Sequence, residues 1–137
     1  MIIQIEPWID DEELVQLKRV VDSTFVTEST LTKEFEEKTK KLTKSKHAIA
    51  MANGTVALFC GLKALGIGKG DEVIVPDMTF IASANAVIMA GAKPVFCDVY
   101  NDTLCIDIEF AERLVTNKTK AIMPVHLYGQ SANMLKI

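Results

Sequence analysis

Three short apolar runs constrain this chain most: Val73-Ile74-Val75, Val95-Phe96-Cys97 and Ala121-Ile122-Met123. None alternates apolar with polar residues, so none suits a strand with one face in water. Continuous apolar strands separated by helical stretches fit a parallel sheet covered on both faces. A fourth run, His47-Ala48-Ile49-Ala50-Met51-Ala52, reads as another buried strand. The expected strands are 48–52, 72–76, 94–98 and 120–126, and the connecting helices are 55–65, 79–90 and 107–115. The first two helices are apolar almost all round, as in Val56-Ala57-Leu58-Phe59-Cys60 and Val87-Ile88-Met89-Ala90. A helix on a sheet needs only one apolar stripe. Both are therefore expected to meet a further layer, either another part of the protein or a second subunit.

The residues before this pattern read differently. Residues 2–9 are mixed and expected to be extended, with Trp8 as an anchor. Asp10 with Glu13 three positions on marks a helix start. Leu14, Leu17, Val20 and Val21 carry that helix to about Asp22. A polar loop over 23–30 leads to a second helix, Leu31 to Lys44, with Leu31, Phe35 and Leu42 on its buried side. Glu34 with Lys38, Glu36 with Lys40 and Glu37 with Lys41 are spaced to pair on its solvated face. The chain thus divides into a helical arm, 1–46, and the first part of an α/β domain, 47–137. The final stretch, 131–137, reads as the first turns of a helix, which leaves a parallel crossover incomplete. The domain is accordingly expected to be truncated.

Asn53-Gly54-Thr55 joins the 48–52 run to the following helix. A glycine turn entering a helix leaves free backbone N–H groups at the positive end of the helix dipole, which suits a phosphate. Thr55 adds a hydroxyl. A plain strand-to-helix turn has the same local pattern, so both readings stand. Gly66-Ile67-Gly68-Lys69-Gly70 is a helix cap and turn: its glycines follow a helix and precede a strand, the reverse of the dinucleotide-binding order.

Composition narrows the function classes. Hydrophobic residues make up 49% of the 137, so the chain can bury a core. A net charge of −3 argues against a nucleic-acid or anionic-membrane surface. Cys60, Cys97 and Cys105 are scattered and form no CxxC pair, and only two histidines occur. Neither a structural metal site nor a disulfide framework is expected, and a reducing cytoplasm fits. No signal peptide is read at the N-terminus, and no apolar run has the roughly 20 residues of a membrane span.

Several longer stretches, taken in order, carry a resemblance. They are Phe25-Val26-Thr27, Leu31-Thr32-Lys33-Glu34-Phe35-Glu36, Asn53-Gly54-Thr55-Val56-Ala57-Leu58 and Gly68-Lys69-Gly70-Asp71-Glu72-Val73-Ile74-Val75-Pro76. Asp77-Met78-Thr79-Phe80-Ile81-Ala82-Ser83-Ala84-Asn85-Ala86, Gly91-Ala92-Lys93-Pro94-Val95-Phe96-Cys97-Asp98-Val99 and Pro124-Val125-His126-Leu127-Tyr128-Gly129-Gln130 continue it. Together they resemble the sugar aminotransferases of the DegT/DnrJ/EryC1/StrS family.

The resemblance implies the aspartate-aminotransferase fold and pyridoxal phosphate as cofactor. It implies transfer of an amino group from glutamate to a keto group of a nucleotide-linked deoxy sugar, by a homodimer with its site at the subunit interface. By this analogy Gly54 and Thr55 belong to the cofactor's phosphate cup, Asn53 lies beside it, and Phe80 stacks on the pyridine ring. Phe80 as plain core at a helix start is the competing reading, and Asp77 or Thr79 would be that helix's N-cap. Thr27 lies in a loop that resembles the one near the sugar-nucleotide, although Ser29 stands where the family commonly has a glycine. His126 and Tyr128 either border the site or pack at a strand end, and Asp98 reads as a turn residue. The family's Schiff-base lysine and the carboxylate facing the pyridinium nitrogen match no motif in these residues. No catalytic residue is assigned, and the chain alone is expected not to transaminate. A sugar-dehydrating relative and a non-catalytic binding or interaction fragment are the alternatives. The family's strand order also separates strand 48–52 from the next three, so that run would need another partner.

Overall fold

The computed structural model describes residues 6–137. Contacts divide the chain into two compact units, Met1–Ala50 and Met51–Ile137. In the first unit residues 6–10 are irregular, and residues 2–5 of the expected extended segment lie outside the described residues. Helix α1 (Asp11–Ser23) starts as expected. The Asp10 carboxylate accepts the Glu12 N–H at 2.8 Å, and the Glu13 carboxylate accepts the Asp10 N–H at 2.7 Å. The Glu12 N–H, chief among these contacts, holds the Asp10 carboxyl below its ordinary value.

Helix α2 (Thr30–Thr43) follows with Ser29 as N-cap. Its expected buried side is not buried: Leu31 is half-buried, while Phe35 and Leu42 are exposed. An apolar stripe needs an apolar partner, and this unit supplies none for Phe35 or Leu42. The expected charge pairs are also replaced. Lys40 donates to Glu37 at 2.7 Å, and Glu34 accepts from Arg19 at 3.3 Å. Glu36 accepts the Ala50 N–H at 2.8 Å. Exposed ion pairs are worth so little that neighbouring partners exchange easily.

The run 48–52 is not a strand. A strand exists only through a partner for its ladder, and here the Ala50 N–H goes to the Glu36 carboxylate instead. Ile49 stands exposed.

The second unit is the α/β fold read from the apolar runs. Strands β1 (Glu72–Pro76), β2 (Lys93–Cys97) and β3 (Thr119–Ile122) form one parallel sheet in the order β2-β1-β3. Strand β1 is central and buried along its whole length. Helices α3 (Gly54–Ala64) and α4 (Ala82–Met89) cover one face, and α5 (Ile108–Leu114) covers the other. Alternation along β1 divides the core. Val73 and Val75 pack with Leu62, Ala86 and Val87, while Ile74 packs with Cys97, Ile106 and Ala111.

Element ends follow local chemistry. Gly66, at φ +78°, lets the chain leave α3 while Ile67 N–H bonds back to the Leu62 carbonyl. Strand β3 stops before the expected end at residue 126. Met123 N–H makes a last bond to the Ile74 carbonyl, and Pro124 has no N–H to continue. The expected helix over 131–137 is a set of turns: Leu135 has no surface to pack on, and the Ala132 N–H is committed to His126. No helix among the described residues is long and apolar enough to cross a membrane.

Candidate functional site

The sheet order creates the site. After β1 the chain turns to α4 on one face. After β3 it crosses to the opposite face, where Lys136 donates to Glu109 of α5 at 3.1 Å. Adjacent parallel strands whose chains leave in opposite directions open a crevice at their carboxyl ends, where α/β proteins take ligands. Helix α3 lies on the α4 face and brings its N-terminus to the same edge. The result is a cleft of about 850 Å³ lined by Asn53, Gly54, Thr55, Thr79, Phe80, Ser83 and the segment Met123–Leu127, among others.

The α3 N-terminus is a set of donors partly left open. The Asn53 side chain accepts the Val56 N–H at 3.0 Å, and its carbonyl accepts the Ala57 N–H at 3.1 Å. Among the described residues no acceptor meets the Gly54 and Thr55 N–H groups. Two free donors at the positive end of a helix form a ready anion site. A Cβ built on Gly54 would meet nothing within 4 Å, so the space before these donors is open.

Phe80 is 75% exposed, so it is not core at a helix start. Its ring is an apolar face at the wall of the cleft. Neither Asp77 nor Thr79 caps α4: Ile81 is the N-cap residue, with no side-chain bond, and a bend over 77–79 precedes it. Thr79 instead shares a hydrogen bond with Ser83, the two hydroxyl oxygens 3.1 Å apart. Ser83 is buried, so this hydroxyl pair belongs to the cleft wall. The sequence reading missed it, although the i, i+4 spacing of two hydroxyl residues beside Phe80 was a usable signal. His126 lines the cleft, and its Nδ1 accepts the Ala132 N–H at 3.0 Å.

The residues present thus fit a flat aromatic ligand bearing a phosphate: open helix N–H groups, a threonine hydroxyl and an exposed phenyl ring share one cleft. Asn53, Gly54, Thr55 and Phe80 line one cleft. Thr27 is placed separately. It belongs to the other unit, exposed in the loop between α1 and α2.

The carboxyl edge also holds Cys97, the last residue of β2. Burial, and then the nearby Asp107, Asp77 and Asp98 carboxylates, push its thiol up to about 11. Its Sγ lies 3.3 Å from the Asp107 carbonyl oxygen and 3.4 Å from that of Asp98. Such a thiol is inert near neutral pH. The opposite edge of the sheet is pinned by Glu72, whose carboxylate accepts from the Thr116 hydroxyl at 2.8 Å and from Lys93 Nζ at 3.1 Å. Those two bonds, the Thr116 hydroxyl first, hold the Glu72 carboxyl below its ordinary value.

Comparison with known proteins agrees with this architecture. Two GDP-perosamine synthases are similar in sequence. That of Vibrio cholerae is 41% identical over 98% of this chain and 37% of its own length. That of Escherichia coli O157:H7 is 42% identical over 96% of this chain and 36% of its own length. The chain thus spans little more than a third of these relatives. Among solved structures, an aminotransferase from Psychrobacter cryohalolentis superposes with a TM-score of 0.88, at 42% identity, over 96% of this chain and 34% of that one. A structure described as a sugar aminotransferase of Streptococcus pneumoniae, in its PMP form, superposes with a TM-score of 0.90 at 35% identity, over 95% and 33% of the two chains. The model of the DegT/DnrJ/EryC1/StrS aminotransferase family matches residues 7–137, and the chain belongs to that family.

Proposed function

We infer that this chain is the cofactor-gripping part of a pyridoxal-phosphate-dependent aminotransferase acting on a nucleotide-linked deoxy sugar, with glutamate as amino donor. The observation that carries the reading is the single cleft shared by the open α3 N-terminus and the exposed Phe80 ring. Family membership and the PLP and PMP forms of the Streptococcus pneumoniae relative support the choice of cofactor.

In this reading the Gly54 and Thr55 N–H groups and the Thr55 hydroxyl hold the phosphate, and the helix dipole adds attraction. Asn53 keeps the helix end folded so that those donors stay aimed outward. Phe80 lies flat on the pyridine ring and keeps water from that face. When bound, the cofactor supplies the electron sink that amino transfer needs. By the same family resemblance, Thr27 is assigned to sugar-nucleotide binding. The names of the two synthases favour a guanosine diphosphate sugar. No lysine of these residues is assigned to the cofactor, so the chain by itself binds without turning over. The exposed Ile88 and Met89 of α4, with Ile81 at its N-cap, fit a homodimer contact.

The test is a titration of the intact protein with pyridoxal phosphate, followed by its near-ultraviolet and visible absorbance. Phe80→Ala is expected to weaken binding about tenfold, and Thr55→Val several-fold, each with an unchanged far-ultraviolet spectrum. Wild-type affinity in both variants would remove the cleft as the cofactor site.

A further inference from the structure

His126 follows β3 and lines the cleft that holds the α3 N-terminus and Phe80. A neutral imidazole carries one proton on one of its two nitrogens, and the hydrogen bond made by one nitrogen decides the state of the other. Here Nδ1 accepts the Ala132 N–H at 3.0 Å. A nitrogen that accepts a hydrogen bond carries no proton, so the proton of the neutral ring sits on Nε2. The anchor is firm, because Ala132 is buried while the histidine side chain is exposed. Among the described residues Nε2 has no partner. The other polar side chains at this wall, Thr79 and Ser83, are engaged with each other.

We propose that His126 is a positioning residue of the cleft, its ring fixed by the Ala132 N–H so that Nε2–H donates to an oxygen of the bound ligand other than the phosphate. The phosphate already has the Gly54 and Thr55 donors. A ring hydroxyl or phenolate oxygen of an aromatic ligand is the acceptor class that remains. The contact needs no charge on the histidine, and the turn at Ala132–Lys136 sets its direction by holding Nδ1. Residues past β3 thereby acquire a function, orienting the ring that Phe80 covers. This inference rests on the cleft being the pyridoxal phosphate site.

Two substitutions separate the donor from the anchor. In His126→Asn the amide oxygen replaces Nδ1 and keeps the Ala132 bond, while the outward donor is lost. In His126→Gln the longer side chain restores an outward N–H₂. The intact protein is titrated with pyridoxal phosphate, and with inorganic phosphate as a competing probe. His126→Asn is expected to bind pyridoxal phosphate about tenfold more weakly and to shift its absorbance band, with phosphate affinity unchanged. His126→Gln should recover part of both effects. Nitrogen NMR of the wild-type ring is expected to show the Nε2–H form. Wild-type binding and band in His126→Asn would overturn the proposal, as would an Nδ1–H ring or an equal loss of phosphate affinity. Failure of the wild-type protein to bind pyridoxal phosphate would instead remove the cofactor reading on which the proposal stands.

Discussion

Residues 51–137 wrap a buried sheet, whereas the helices of the first fifty residues bury nothing fully. Every residue of β1 is buried, and Val73, Ile74 and Val75 are wholly out of water. Neither α1 nor α2 contains a buried residue. Trp8, Leu14, Leu17, Val21, Phe35 and Leu42 all stand exposed. Yet the helices of the first unit are the better specified locally, with a complete capping box, left-handed caps and charged pairs. Local signals form a helix, but burial supplies most of its stability in a protein. The second unit has both, and its packing frames the cleft at the carboxyl ends of the strands.

The contrast predicts its largest effect at Ile74. Ile74→Ala removes a fully buried side chain that packs against Cys97, Ile106 and Ala111 on the α5 face. The expected loss is about 3–4 kcal/mol, read by urea denaturation. Leu17→Ala in α1 is expected to cost less than about 0.5 kcal/mol, as exposed positions do. A loss above about 1 kcal/mol at Leu17 would break the contrast, because it would mean that something covers α1 in the intact protein.

A second prediction uses the buried thiol. The folded state keeps Cys97 protonated up to about pH 11, while the unfolded chain releases that proton nearer its ordinary value. The stabilisation is complete below the unfolded value and is lost as pH rises toward 11. Its size is on the order of 2 kcal/mol. Thermal unfolding between about pH 8 and 11 should fall more steeply for wild type than for Cys97→Ala. Equal slopes would mean that the thiol is solvated. Half-buried Cys60 should also alkylate before Cys97 in the folded protein.

These elements also show what a sequence can carry. Strand β1 was legible to the residue, because the unbroken apolar run Val73-Ile74-Val75-Pro76 between Glu72 and Asp77 has one buried solution. The family, and with it the expected places of Asn53, Gly54, Thr55 and Phe80, came from the resemblance of whole stretches; the turn at Asn53-Gly54-Thr55 alone was readable locally, as a glycine turn entering a helix. The run 48–52 misled, since a strand is a relation between two segments and this run has no strand partner among the described residues. The buried side of α2 misled for the same reason: a stripe names the face to be covered, not its cover. The hydroxyl pair of Thr79 and Ser83 was missed because Thr79 was read only as a helix cap, whereas α4 starts at Ala82 and the Thr79 hydroxyl turns to Ser83.

The cap of α3 gives a smaller effect than either core test. Asn53→Ala removes the acceptor of the Val56 N–H and should cost about 1 kcal/mol. Because the same helix end carries the open donors, the loss should appear in phosphate affinity as well as in stability. A stability loss with unchanged phosphate affinity would separate the cap from the anion site.

The smallest effects are expected in the ion pairs, and they sharpen the comparison because the two units hold them differently. Lys40 supplies both leading causes that lower the Glu37 carboxyl, its hydrogen bond and then its charge. Lys40→Gln should therefore raise the Glu37 carboxyl toward its ordinary value, with no measurable change in stability, since the pair is exposed. Glu72 is held first by the Thr116 hydroxyl and only then by Lys93. Lys93→Gln should leave its carboxyl below the ordinary range, and Thr116→Val should raise it more. A lowered carboxyl contributes stability that is complete above the unfolded value and lost as pH falls through the folded one. Thr116→Val should therefore weaken the extra acid sensitivity of unfolding more than Lys93→Gln does. Carboxyl titration by carbon NMR checks both pairs. If Lys93→Gln moved Glu72 as far as Thr116→Val, the charge and not the packed hydroxyl would be holding the lower edge of the sheet. The two units would then treat their ion pairs alike.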